Sequence, residues 1–312
     1  MDPAPPPPLA TALGARLLGQ AVWRDGVRRV AVIGASKNAG KTTALLALLA
    51  ASSAEGLAVG VVSVGLDGEA RDAWLDVPKP QVRLEKDHWL VTALPFAEAA
   101  GSALHIVETL PLATALGPTV LARAKSPVAV QLCGIGHRRA LVQAIAALQA
   151  RVPRVIVDGA YHRQAAAHPS VADALVVAVG AVADDDDAVA VDRATATLRA
   201  LLVRVGAADA GMVAVAGGLT DALVGEGCSG FAVQDSSRIL LTGRGWAALD
   251  RQRAHVVAQA AVPVAAVVSN PWRPDGHSAD AGHFQNLVRA AVGRCGGQRV
   301  PVTDLVSGRQ LS

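Results

Sequence analysis

Residues 35–42 read Ala35-Ser36-Lys37-Asn38-Ala39-Gly40-Lys41-Thr42, and Thr43 follows. This combination can hold a phosphate. Backbone N–H groups of a tight loop and of the helix after it converge on one point, where an anion is favoured. Lys41 adds a mobile ammonium for the outer phosphates and is the first candidate catalytic residue, while the Thr42 hydroxyl can ligate Mg²⁺. Ala35, Ser36, Lys37, Asn38, Ala39, Gly40, Lys41, Thr42 and Thr43 are therefore the expected nucleotide-binding residues. Two of only five lysines among 29 basic residues, Lys37 and Lys41, fall in this loop. A compact ammonium suits a phosphate cradle better than a planar guanidinium. Ala35 takes a position where glycine would be unsurprising, and it fits if its φ stays negative. Gly40 is where a side chain would obstruct the phosphate.

A chance Gly-Lys-Thr at a helix start is the bland alternative. The context opposes it, because the apolar run Val30–Ile33 precedes the loop and Ala44–Leu49 follows. Strand, loop and helix then stand in the order a phosphate loop needs.

In a parallel sheet, ligands bind beyond the C-terminal strand ends, so other polar residues at such ends matter. Asp158 ends the apolar run Arg154-Val155-Ile156-Val157. This is the Walker B pattern, and such a carboxylate is expected to reach Mg²⁺ through a water. Its alternative role is to start a turn before Gly159. Asp67, in Gly65-Leu66-Asp67-Gly68, either orients Mg²⁺ or the attacking water as a catalytic group, or is an ordinary turn aspartate. Asn270, before Pro271, can donate to and accept from a base edge. His162 and Arg163 lie in a polar stretch after Asp158 and could act on phosphate or a partner, although a lone loop histidine is more often solvated. The guanine motif Asn-Lys-x-Asp does not occur, which favours ATP over GTP. The histidines show no His-x-x-x-His spacing, so no zinc site is expected.

Apolar strands alternating with helices predict an α/β fold, P-loop NTPase-like, with a mainly parallel sheet and helices on both faces. Residues 1–8 hold five prolines and read as a disordered tail. Residues 9–312 read as one domain, with a β-rich insertion at 79–132. Strands are expected at about 29–34, 57–64, 154–157, 174–179, 212–215, 230–233, 239–241, 264–268 and 299–302. Helices are expected at about 9–23, 41–54, 137–150, 184–204, 219–225, 245–260 and 280–293.

The 312 residues are 52% hydrophobic but only 3% aromatic, so packing must come from many small side chains. The net charge of +3 comes from scattered arginines without a block of like charge, so no nucleic-acid partner is implied. No apolar run suits a membrane span. Cys133, Cys228 and Cys295 are widely spaced and odd in number, which speaks against a disulfide framework and for a reducing cytoplasm. Met1-Asp2-Pro3 begins no basic n-region or apolar core, so no secretory signal is expected.

Several stretches in order resemble one family. They are Gly34–Thr43, Val64-Gly65-Leu66-Asp67-Gly68-Glu69 with Lys79-Pro80, and Val157-Asp158-Gly159-Ala160 with Arg163, Pro169 and Asp173. Gly217–Leu223, Val233-Gln234-Asp235, Val268-Ser269-Asn270-Pro271 and Val300–Asp304 follow. Across roughly residues 29 to 305 the chain resembles the P-loop subunit of the lysine 5,6-aminomutase and ornithine aminomutase reactivases. That resemblance implies a Mg-ATP-dependent, chaperone-type ATPase that helps release damaged cobalamin from an adenosylcobalamin-dependent aminomutase. It implies Lys41, Thr42 and Asp158 as the Mg-ATP ligands, with Asp67 or Lys37 either completing hydrolysis or sensing the γ-phosphate. It also implies a larger actin-like ATPase subunit and the mutase as partners, and a homodimer is compatible with it.

Three readings compete: a nucleotide-binding adapter for molybdenum-cofactor assembly, a small-molecule kinase or ligase on the same fold, and an interaction protein with a vestigial loop. Lys41→Ala separates the first two and the reactivase from the last. It should abolish nucleotide-dependent activity while leaving the fold intact, read by circular dichroism, because the ammonium is expected to serve phosphate and not packing.

Overall fold

The computed structural model describes residues 9–65, 81–114, 116–159, 164–225, 227, 229–273 and 278–311. The chain opens with α1 (Ala12–Val22), β1 (Arg29–Gly34), α2 (Lys41–Ala54) and β2 (Val59–Val64). A strand-rich stretch follows: β3 (Val82–Leu84), β4 (Trp89–Ala93), a short α3 (Leu94–Ala99), β5 (Leu104–Thr114), β6 (Gly117–Ala124), β7 (Val128–Val130) and β8 (Gly134–Ile135). Alternation resumes with α4 (Arg138–Gln149), β9 (Arg154–Asp158), β10 (Ala174–Gly180) and α5 (Asp187–Leu201). Next are β11 (Arg204–Val205), β12 (Val213–Val215), β13 (Leu219–Thr220), β14 (Gly230–Asp235), β15 (Ile239–Leu240), α6 (Gly243–Gln252) and β16 (His255–Ala260). The chain ends with β17 (Val264–Asn270), α7 (Ala281–Arg294), β18 (Val302–Asp304) and β19 (Arg309–Leu311).

Eleven strands form the main sheet, in the order β19-β18-β17-β10-β1-β9-β2-β4-β6-β5, with β8 beside the end of β2. From β18 to β4 every pairing is parallel, and β19, β6 and β5 add antiparallel edges. The fold is thus mixed α/β around a large, mostly parallel sheet. The strand-rich stretch is stitched to that sheet, since β4 pairs with β2 and carries β6 and β5 outward.

Period-two alternation splits each central strand between two cores. Ala31 and Ile33 of β1 face a cluster built with α4, α5 and α7, while Val30 and Val32 face one built with α1 and α2. Strands buried on both faces must be apolar throughout, which is why Leu175–Val179 has no polar residue. Among the described residues, no helix is long and apolar enough to cross a membrane.

The last third departs from expectation in three places. Strands 213–215, 230–235 and 255–260 leave the main sheet and form a separate parallel sheet, β11-β16-β14-β12. Its own core includes Phe231, Val233, Trp246 and Val256, and α5 serves both bodies, with Ala200 here and Leu198 in the main core. The helix expected at 245–260 stops at Gln252, because Arg253 takes the left-handed conformation at φ +55°. The Val256–Val257 pair then fits a strand, where β-branched residues pack well. The helix expected at 219–225 is a single 3₁₀ turn at 221–223, because the Asp221 carboxylate turns to the Thr242 N–H, at 2.9 Å, rather than to a helix of its own.

At the opposite end of β1 from its loop, Asp173 fixes the register with β10. It accepts from the Arg28 N–H at 3.0 Å, the Arg29 N–H at 2.8 Å and the Arg29 guanidinium. Burial pushes its carboxyl pKa up, but the Arg29 side chain and the two backbone N–H groups outweigh that and hold it below the ordinary value. A depressed pKa contributes stability that is present above the unfolded-state value and is lost as pH falls through the folded-state value. Asp173→Asn should therefore cost about 1–3 kcal/mol in urea unfolding at neutral pH. The difference from the wild type should shrink toward zero in acid.

Candidate functional site

The loop after β1 is shaped by where side chains cannot go. Ala35 still pairs with the sheet, its N–H donating to the Ala178 carbonyl at 2.8 Å. Its φ is not positive, so alanine fits there without strain. Asn38 turns the chain at φ +58°, a conformation that asparagine tolerates better than most residues. Gly40 follows at φ +99° as the N-cap of α2. A Cβ on Gly40 would lie 2.9 Å from Asn270 Nδ2 and 3.0 Å from its Cβ. A Cβ on Gly180, at the end of β10, would lie 2.7 Å from the Ala39 Cα. The loop is therefore pressed against the ends of both β10 and β17.

Helices α1, α5, α6 and α7 each begin with a side-chain cap, from Thr11, Asp186, Thr242 and Asp280. Helices α2, α3 and α4 begin without a side-chain cap hydrogen bond, and of these α2 is the one that follows the loop after β1. Its first-turn N–H groups, with the positive end of the helix dipole, are suited to an anion. The Ser36 hydroxyl points the same way, being buried and without a hydrogen-bond partner. These observations fit a phosphate on the loop.

Lys41 starts α2, and its stem crosses Gly34, where a Cβ would lie 3.1 Å from Lys41 Cγ and Cδ. Its ammonium donates to the Gly159 carbonyl at 2.8 Å. Lys41 thus ties the start of α2 to the residue after β9, a structural partner that the sequence alone did not lead one to expect. Asp158 pairs in register with Val32 of β1 and Ser63 of β2. The Ser63 hydroxyl lies 3.3 Å from Asp158 Oδ2 and 3.4 Å from the Asp158 carbonyl, a shared long contact on the β2 side. A Cβ on Gly159 would lie 2.7 Å from the Val32 carbonyl, so only glycine lets the chain leave β9 this close to β1.

The structure brings together Ala35 through Thr43, Asp158 and Asn270. Asn270 is 6% exposed and packs on Gly40. Lys37 is exposed on the loop. Asp67 lies outside the described residues, as do His162 and Arg163. Thr42 and Asp158 are the oxygen donors that could hold Mg²⁺, a hard cation that prefers such ligands. Three contributors escape sequence reading: Ser63, the Gly159 carbonyl and Gly180. A lone hydroxyl amid the valines of β2 is the one signal that could have pointed to Ser63.

No protein-family model matches the chain, and no curated protein matches it. One solved structure, titled the crystal structure of signal recognition particle receptor FtsY from Elizabethkingia anophelis, is similar over 89% of this chain and 70% of that one. The sequence identity is 12% and the TM-score 0.30.

Gly40 offers a direct check of the cradle. Gly40→Ala should cost about 1–2 kcal/mol from its left-handed φ alone, measured by chemical denaturation, and should weaken Mg-nucleotide binding. Adding Asn270→Ala should recover part of the stability, since the clash is with that side chain, but not the part due to φ.

Proposed function

We propose that this chain is a Mg-ATP-binding ATPase in which residues 35–43 hold the phosphates and Asp158 serves the metal. The observation that carries the reading is the convergence of an uncapped α2 N-terminus, the glycine-tight loop and Lys41 beside the Asp158 strand end. Backbone N–H groups of the loop would bind the phosphate oxygens, and Lys41 would exchange a neutral carbonyl for a charged phosphate, which makes the stronger hydrogen bond. Thr42 and Asp158 would hold Mg²⁺, which neutralises charge on the transferring phosphoryl group when bound. Ser63 would keep the Asp158 carboxylate oriented. Asp67 is the carboxylate we assign to orienting the attacking water, on sequence grounds alone.

At the finer level, we propose a chaperone-type reactivase subunit for an adenosylcobalamin-dependent lysine or ornithine aminomutase, acting with a larger actin-like ATPase subunit. The support is the ordered set of sequence stretches running from the phosphate loop to Val300–Asp304. Phosphate contacts would order the loops around the site and hydrolysis would relax them, the usual logic of nucleotide switches.

The purified chain should hydrolyse Mg-ATP slowly by itself. Addition of cobalamin-inactivated mutase with the larger subunit should raise the rate several-fold, read as phosphate release. A rate unchanged by them would remove the reactivase role and leave the ATPase. Phosphoryl transfer to a metabolite in place of water would make the chain a kinase or ligase.

A further inference from the structure

A cavity of about 250 Å³ opens beyond the ends of β17 and β18. Pro271, Trp272, Ala279, Asp304, Val306 and Ser307 are among the residues that line it. Neither the phosphate loop nor Asp158 contributes to it.

Its place relative to the loop is set by the sheet. Strand β17 lies two positions from β1 and runs parallel to it, so both end on the same side. Two strand spacings amount to about 10 Å. The connection is also direct. Asn270 packs on Gly40, and the next residue, Pro271, is cavity wall. The Pro271 carbonyl accepts from the Ala279 N–H at 2.9 Å, which ties two lining residues together.

Size and chemistry narrow the occupant. Whole-ligand pockets usually span about 300–1,000 Å³, so this one suits a single flat ring system and not a nucleotide entire. Its walls are mainly apolar, and Trp272 supplies an aromatic surface on which a planar heterocycle can stack. Asp304 gives a buried acceptor, 1% exposed. The Val306 N–H at 2.8 Å and the Ser307 N–H at 3.1 Å both engage its Oδ1, leaving Oδ2 to accept from an amino group.

We propose that this cavity receives the amino-bearing purine base of the nucleotide whose phosphates lie on residues 35–43. Trp272 provides the stacking surface and Asp304 accepts from the exocyclic amine. Asn270 bridges the base and phosphate halves of the site. The inference rests on the phosphate reading of the loop, and the test separates the two.

Affinities of the full chain for Mg-ATP, Mg-GTP and Mg-tripolyphosphate would be measured by calorimetry, with tryptophan fluorescence followed in parallel. A purine triphosphate should bind about tenfold or more tightly than tripolyphosphate, the margin expected for one stacked base. It should quench fluorescence, where tripolyphosphate does not. Trp272→Ala should remove most of the margin and leave tripolyphosphate binding unchanged, and Trp272→Phe should keep the margin but lose the quench. The proposal is overturned if both purine triphosphates bind no more tightly than tripolyphosphate in the wild type. It is likewise overturned if the quench persists in Trp272→Phe or the margin survives Trp272→Ala. Failure of Lys41→Ala to weaken tripolyphosphate binding would instead fault the phosphate reading.

Discussion

Strand β1 is hydrogen-bonded on both sides and buried on both faces, and the site depends on where that strand ends. Its neighbours β9 and β10 fix its height, while the α2 side and the α4, α5 and α7 side fix its depth. The loop that leaves it has almost no freedom. The N–H of Ala35 is still held by β10, and by Gly40 the chain is already the start of α2. Donors fixed this way need little reorganisation to meet an anion, which is what makes a preorganised site effective.

Small side chains make this close fit attainable. Alanine and valine dominate the main cores, and few aromatic residues contribute to them. Strands and helices can then approach closely, and contacts such as Gly180 on Ala39 and Gly60 on Leu148 become part of the packing. Among the described residues Phe284 is the largest fully buried side chain and sits in the main core, while in the second body Trp246 stacks under Arg199, 4.2 Å from its ring centre, and donates to the Ala196 carbonyl. Two bodies that share α5 in this way cannot move far apart without exposing Leu198 or Ala200.

Local features were legible in the sequence. The 35–43 loop, β1, α2 and the Asp158 strand end all follow from short-range signals: an apolar run, a glycine beside a lysine, and a carboxylate closing a strand. Strand partnership was not legible. Nothing in Val213–Val215 or Gly230–Asp235 distinguishes a strand of the main sheet from one of a second sheet, because that choice is made by residues distant in sequence. The helix expected over 245–260 ends where Arg253 takes the left-handed conformation, and the β-branched pair Val256–Val257 just beyond it joins a strand. Ser63 and Gly180 matter only by spatial adjacency, which spacing along the chain does not encode.

The Lys41–Gly159 contact has a consequence for how tightly any ligand can be kept. An ammonium that already has an oxygen partner is not waiting with its full attraction unspent. An anion that took this ammonium would have to displace a bond the chain makes with itself. That internal competitor would subtract from whatever free energy the anion gained there.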